Sequence, residues 1–100
     1  MVSLRFIDDQ PRYNCSSKEK SPVDFLLMSV AMCLASEMLQ IKKQDCFEDV
    51  NVYLGNEELK ISCLCREVYK QDFRDIVSNC YIVKNLKFGV KISFITMPDA

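Results

Sequence analysis

Apolar and polar residues alternate along Val2-Ser3-Leu4-Arg5-Phe6-Ile7-Asp8, which sets Val2, Leu4 and Phe6 on one face and predicts a strand. Asp8-Asp9-Gln10-Pro11 reads as a turn, and Arg12-Tyr13-Asn14-Cys15 as a short return strand. Residues 16–20 form a polar stretch expected to be a mobile loop. Ser21-Pro22-Val23-Asp24 is a helix start: Ser21 can cap, Pro22 suits the first helical position, and Asp24 sits where a capping-box carboxylate belongs. The helix is expected to run on to Lys43, with Lys42 and Lys43 complementing its negative end. Val50-Asn51-Val52-Tyr53-Leu54 alternates again. A turn at Gly55-Asn56-Glu57-Glu58 leads to a return strand from Leu59 to Val68, with Leu59, Ile61, Cys63 and Cys65 on one face. Phe73, Ile76, Val77, Cys80 and Val83 recur at helical spacing and predict a second helix from Gln71 to Leu86, broken at Gly89. Val90 to Ile95 is a final alternating strand, and Pro98-Asp99-Ala100 a tail. This order makes one α+β domain over residues 1–100, with the helices packed on an antiparallel sheet.

The first half of the long helix is apolar on every side, so it is expected to be buried by protein all round. A membrane span needs about 20 apolar residues, whereas this run is interrupted at Glu37 and ends in lysines, so no membrane role is read from it. A chain of 100 residues has little material with which to wrap such a helix, and the economical solution is a second copy, an obligate homodimer.

Net charge of −1 supplies no basic field for nucleic acid. The absence of histidine removes Ser-His-Asp and Cys-His catalysis and every histidine-containing zinc site. The polar start lacks a secretory leader pattern, and long periodic segments with two glycines do not suit a disulfide scaffold. The six cysteines are therefore expected to be free thiols in a reducing, cytoplasmic setting. Cys63 and Cys65 have the spacing of a soft-metal pair but lack a second pair to complete a thiolate site, and strand alternation makes them core residues. Cys33 and Cys80 each fall on or near the apolar side of a helix. Packing alone explains them, and a reactive thiol there needs a nearby cation, because Cys33 lies about three turns from its helix start.

Ser21-Pro22-Val23-Asp24-Phe25-Leu26-Leu27-Met28, followed by Ala31-Met32-Cys33, resembles the signature of the OsmC-like family of osmotically inducible and organic hydroperoxide resistance proteins. In that pattern a carboxylate precedes the central-helix cysteine by nine positions, as Asp24 precedes Cys33 here (33 − 24 = 9). Nine residues turn a helix by about 900° and advance it about 13 Å, so Asp24 and Cys33 lie on opposite sides of it. Cys80-Tyr81-Ile82-Val83-Lys84-Asn85-Leu86 falls where the family carries its second cysteine. The resemblance covers about residues 21–96 and implies an intertwined homodimer and a cofactor-free, metal-free peroxidase. Cys33 would attack a small organic hydroperoxide, Cys80 would resolve the product as a disulfide, and a dithiol reductant would reset the pair. It further implies that an N-terminal arginine, Arg12 or else Arg5, activates the first thiol and that Asp24 orients that arginine. The chain departs from the pattern: Asp24 replaces a glutamate, Met32 a small residue, and Tyr81 and Val83 a proline and a serine. These changes open a second expectation, a non-catalytic OsmC-fold dimer that binds a small molecule or senses redox state.

Overall fold

The computed structural model describes residues 1–16 and 21–97. Most of the expected mobile loop (17–20) and the tail (98–100) lie outside the described residues. The N-terminal hairpin pairs β1 (Val2–Ile7) with β2 (Gln10–Cys15), in register from Val2 opposite Cys15 to Ile7 opposite Gln10. Its turn places Asp8 and Asp9 at φ of 51° and 61°, the left-handed pair that matches the twist of a two-residue hairpin. A second hairpin joins β3 (Glu48–Gly55) to β4 (Glu58–Cys65). The left-handed positions there fall on Asn56 and Glu57 (φ 52° and 59°) rather than on the adjacent Gly55. A bulge between Glu48 and Asn51 puts Asp49 at φ 47°.

Between the hairpins runs α1 (Pro22–Gln40). Its start is the predicted capping box: the Asp24 amide donates to Ser21 Oγ at 3.3 Å, and Asp24 Oδ2 accepts from the Ser21 amide at 2.9 Å and the Ser21 hydroxyl at 3.0 Å. The helix ends three residues before the expected Lys43. Lys42 turns left-handed at φ 57°, and the Lys42 and Lys43 amides donate back to the Leu39 and Met38 carbonyls. These two bonds form a Schellman closure with lysine in the place glycine usually takes. Lys43 then pairs with Asp72 at 3.1 Å and ties the end of α1 to the next helix.

That helix, α2 (Lys70–Asn79), does not continue to Leu86. Cys80 adopts an extended conformation (φ −68°, ψ 118°), and a separate turn, α3 (Tyr81–Lys84), follows. Ser78 and Asn79 immediately before the break are weak helix formers. After α3 the chain enters β5 (Gly89–Thr96), which pairs with β4 in parallel from Glu58 opposite Gly89 to Cys65 opposite Thr96. The sheet is therefore mixed, in the order β2-β1-β3-β4-β5, and not wholly antiparallel as expected. The helical connection returns the chain to the end of the sheet where β4 began, which forces the parallel direction.

One face of the sheet, carrying Val2, Leu4, Val50, Val52, Leu59, Ile61, Cys63 and Cys65, is buried beneath the helices. From α1 it receives Leu27, Val30, Ala31, Leu34, Ala35 and Met38; from α2, Phe73, Ile76 and Val77. Phe73 centres an aromatic cluster, 5.4 Å from the Phe47 ring and 5.8 Å from the Phe94 ring. Burying α1 this way folds an apolar helix, long enough by composition to cross a membrane, into a compact globule of the kind soluble proteins form. The expectation that α1 is covered on every side fails within one chain. Phe25 is 59% and Met32 53% exposed, on the stripe that faces away from the sheet.

Replacing Phe73 by alanine removes the centre of the aromatic cluster. It should cost roughly 3–5 kcal/mol in urea unfolding, with near-ultraviolet circular dichroism lost at lower denaturant than in the parent chain.

Candidate functional site

Helix α1 carries Cys33 on its flank, half-buried, while Leu34 and Ala35 beside it turn into the core. The break between α2 and α3 carries Cys80, 2% exposed. Packing of α3 against α1 brings the two thiols side by side, close enough for Cys33 to help raise the Cys80 pKa. Both are reduced, as are the other four cysteines. Helical spacing alone did not foretell this contact, because a continuous helix through Cys80 would not have pointed its side chain as the break does.

Burial, first, and the neighbouring Cys33 side chain, second, push the Cys80 thiol above its ordinary pKa. The Val83 and Ile82 amides partly oppose the rise. The pair is thus asymmetric in exposure: Cys33 is half-buried, whereas Cys80 is enclosed and its protonated form favoured. Chemically, such a pair can attack with one sulfur and resolve with the other.

Asp24 and Cys33 lie on opposite sides of α1, as the rotation arithmetic requires: Asp24 is 7% exposed on the sheet side, engaged in the helix cap. The structure does not bring Arg12 to Cys33 within one chain. On β2, Tyr13 and Cys15 point into the core, so Arg12, one residue before Tyr13, points out of the opposite face of the sheet. Arg5 stands directly across from it and donates to Asp49 at 2.8 Å. The five-stranded sheet separates both guanidinium groups from the thiol pair. On α1 the neighbours of Cys33 one turn away include Ser29, Ser36 and Glu37, and an apolar rim lies beside them: Phe25 and Met32 on the adjacent stripe, and Tyr81, 75% exposed, next to Cys80. Sequence reasoning missed this rim, although the replacement of the family's proline by Tyr81 was its visible sign.

Cys63 and Cys65 are fully buried side by side on one face of β4. Burial raises both, while Lys70 and Arg74 offset part of the rise at Cys65. Among the described residues, no group of three or more cysteine or carboxylate side chains is placed to hold a metal ion.

The three raised thiols make stability depend on pH. In the folded chain Cys63, Cys65 and Cys80 stay protonated where the unfolded chain, with ordinary thiols titrating near about pH 8.5, releases protons. Their contribution is complete below that pH and declines as pH rises toward the raised folded values, by at most about 1.4 kcal/mol per pH unit for each thiol. Urea midpoints measured from pH 7 to 10 should fall progressively above pH ~8.5, and substituting Cys63 by valine should flatten part of the slope.

Neither a family model nor a curated protein matches the chain. A solved structure described only as "structural genomics" is similar over 97% of this chain and 96% of its own, at 16% identity and a TM-score of 0.46.

Proposed function

We propose that the chain is a cofactor-free thiol peroxidase of the OsmC-like kind, in which Cys33 attacks an organic hydroperoxide and Cys80 resolves the product, serving oxidative defence in the cytoplasm. The observation that carries this reading is the proximity of the Cys33 and Cys80 side chains, which come from distant segments and meet at the surface of α1. The Cys33 thiolate displaces alkoxide from the peroxide oxygen: the S–O bond forms, the O–O bond breaks, and a proton from water completes the alcohol. Cys33 is left as a sulfenic acid. The Cys80 thiol then attacks that sulfur, the S–S bond forms, and water leaves with the Cys80 proton. An external dithiol reduces the disulfide by exchange and is itself oxidised to a disulfide.

The same reading includes a homodimer. Phe25 and Met32 share one stripe of α1 that one copy leaves in water, as it does Tyr81, and a second copy contributing the same stripe would cover it by two-fold symmetry. An arginine absent from Cys33 in one chain would then have to come from the other. A non-catalytic dimer stands as the second reading, favoured by one observation: in a single chain Arg5 and Arg12 lie across the sheet from Cys33.

Reduced protein treated with cumene hydroperoxide should lose two hydrogens and yield a Cys33–Cys80 disulfide on peptide mapping. Cys33→Ser should reduce peroxide consumption to the uncatalysed background, and Cys80→Ser should halt at a Cys33 sulfenic acid trappable by dimedone. Thiols that survive excess hydroperoxide would leave the non-catalytic reading in place. Sedimentation equilibrium should give twice the chain mass, and Met32→Lys should shift it toward the monomer.

A further inference from the structure

The outer face of the sheet, remote from the thiols, holds a second arrangement. In one row across all five strands stand the short polar residues Asn14, Ser3, Asn51, Ser62 and Ser93, in register. Ser3 and Asn51 satisfy each other, Ser3 Oγ donating to Asn51 Oδ1 at 2.7 Å. Ser62 and Ser93 have no such partner among the described residues.

The neighbouring row on β3, β4 and β5 is Tyr53, Lys60 and Lys91, again in register. Two lysines directly opposite each other on adjacent strands repel, a juxtaposition that sheets ordinarily avoid. Neither lysine has an ion-pair partner among the described residues, whose ion pairs are Arg5–Asp49, Lys43–Asp72 and Lys70–Glu67. The carboxylate that shares this part of the face, Glu58, lies in register with Gly89, its Cγ 3.7 Å from where a Cβ on Gly89 would sit, and makes no ion pair with either lysine among the described residues. Long lysines beside short serines leave a depression, and a cavity of about 140 Å³ opens there, lined by Tyr53, Lys60, Lys91 and Ser93. Its volume is that of a few water molecules, at about 30 Å³ each. All four lining side chains can donate hydrogen bonds, and the lining contains no carboxylate.

We propose that this cavity is an oxyanion site that takes a phosphate group, held between the Lys60 and Lys91 ammonium groups with the Tyr53 and Ser93 hydroxyls completing the donor set. A doubly charged oxyanion converts the lysine repulsion into two charge-assisted hydrogen bonds, the stronger kind available to such a group. The chemistry is shared by free phosphate and by a phosphate monoester on a larger ligand.

Inorganic phosphate and, separately, phosphoserine are titrated into the full chain at constant ionic strength, with sodium chloride as compensating salt, while amide proton–nitrogen correlation spectra are recorded. The expected result is a saturating shift confined to amides of β3, β4 and β5 around Tyr53, Lys60 and Lys91. Lys60→Gln and Lys91→Gln should each weaken it by at least about tenfold, and Lys84→Gln should leave it unchanged. Tighter binding of phosphoserine assigns the phosphate to a larger ligand; equal binding assigns the free ion. A non-saturating drift, or shifts of equal size in the parent chain and both lysine variants, overturns the proposal. Unfolding does not confound the test, because removing one lysine relieves the repulsion: in phosphate-free buffer either glutamine variant should match or exceed the parent urea midpoint, and added phosphate should raise the parent midpoint alone.

Discussion

One sheet layer can cover only one side of a helix, and that limit shapes everything around α1. Leu27, Val30, Ala31, Leu34, Ala35 and Met38 claim the sheet, and the rest of an apolar helix is left to its neighbours. The α2–α3 unit covers one flank and in doing so sets Cys80 against Cys33. The remaining stripe, through Phe25 and Met32, has no cover in the chain. Cys33 sits at the border between the covered flank and the open stripe. A thiol deeper in the core could not meet a substrate, and one on the open stripe could not meet Cys80.

The thiol pair owes its asymmetry to the same border. Enclosure of Cys80 at the helix break favours its protonated form, while Cys33 stays partly exposed. Cys63 and Cys65 show the contrast. They too are neighbours, but on an interior strand with full burial, closed to solvent. What separates a chemical candidate from a packing pair here is access, not sulfur chemistry.

Much of this was legible in the residues. The capping box at Ser21 and Asp24, the alternation of β1, β3 and β4, and the core roles of Cys63 and Cys65 follow from short-range patterns, and the structure reproduces them. The turn read at Gly55-Asn56-Glu57-Glu58 closes there, with Asn56 and Glu57 carrying the left-handed backbone between paired Gly55 and Glu58. The break at Cys80 was invisible because Phe73, Ile76, Val77, Cys80 and Val83 keep helical spacing through it; tertiary packing against α1 decides the matter. The direction of β5 depends on where α3 returns the chain, which no local period records. Arg12 was placed near the thiols by sequence position, and strand alternation, which fixes Tyr13 and Cys15 inward, sends it to the other side of the sheet.

The parallel pairing of β4 with β5 has a bearing on how the chain reaches this state during synthesis. β5 follows every other strand in the chain, and the Met97 amide extends its ladder to the Cys65 carbonyl at 2.9 Å. Until β5 docks, β4 is an unfinished edge of the sheet. A parallel partner cannot be recruited by a tight turn; it must wait for the α2–α3 crossover to form and dock. The nascent chain therefore passes through a stage with an open, thiol-bearing apolar edge, the stage at which strand exchange between copies and chaperone capture compete with folding.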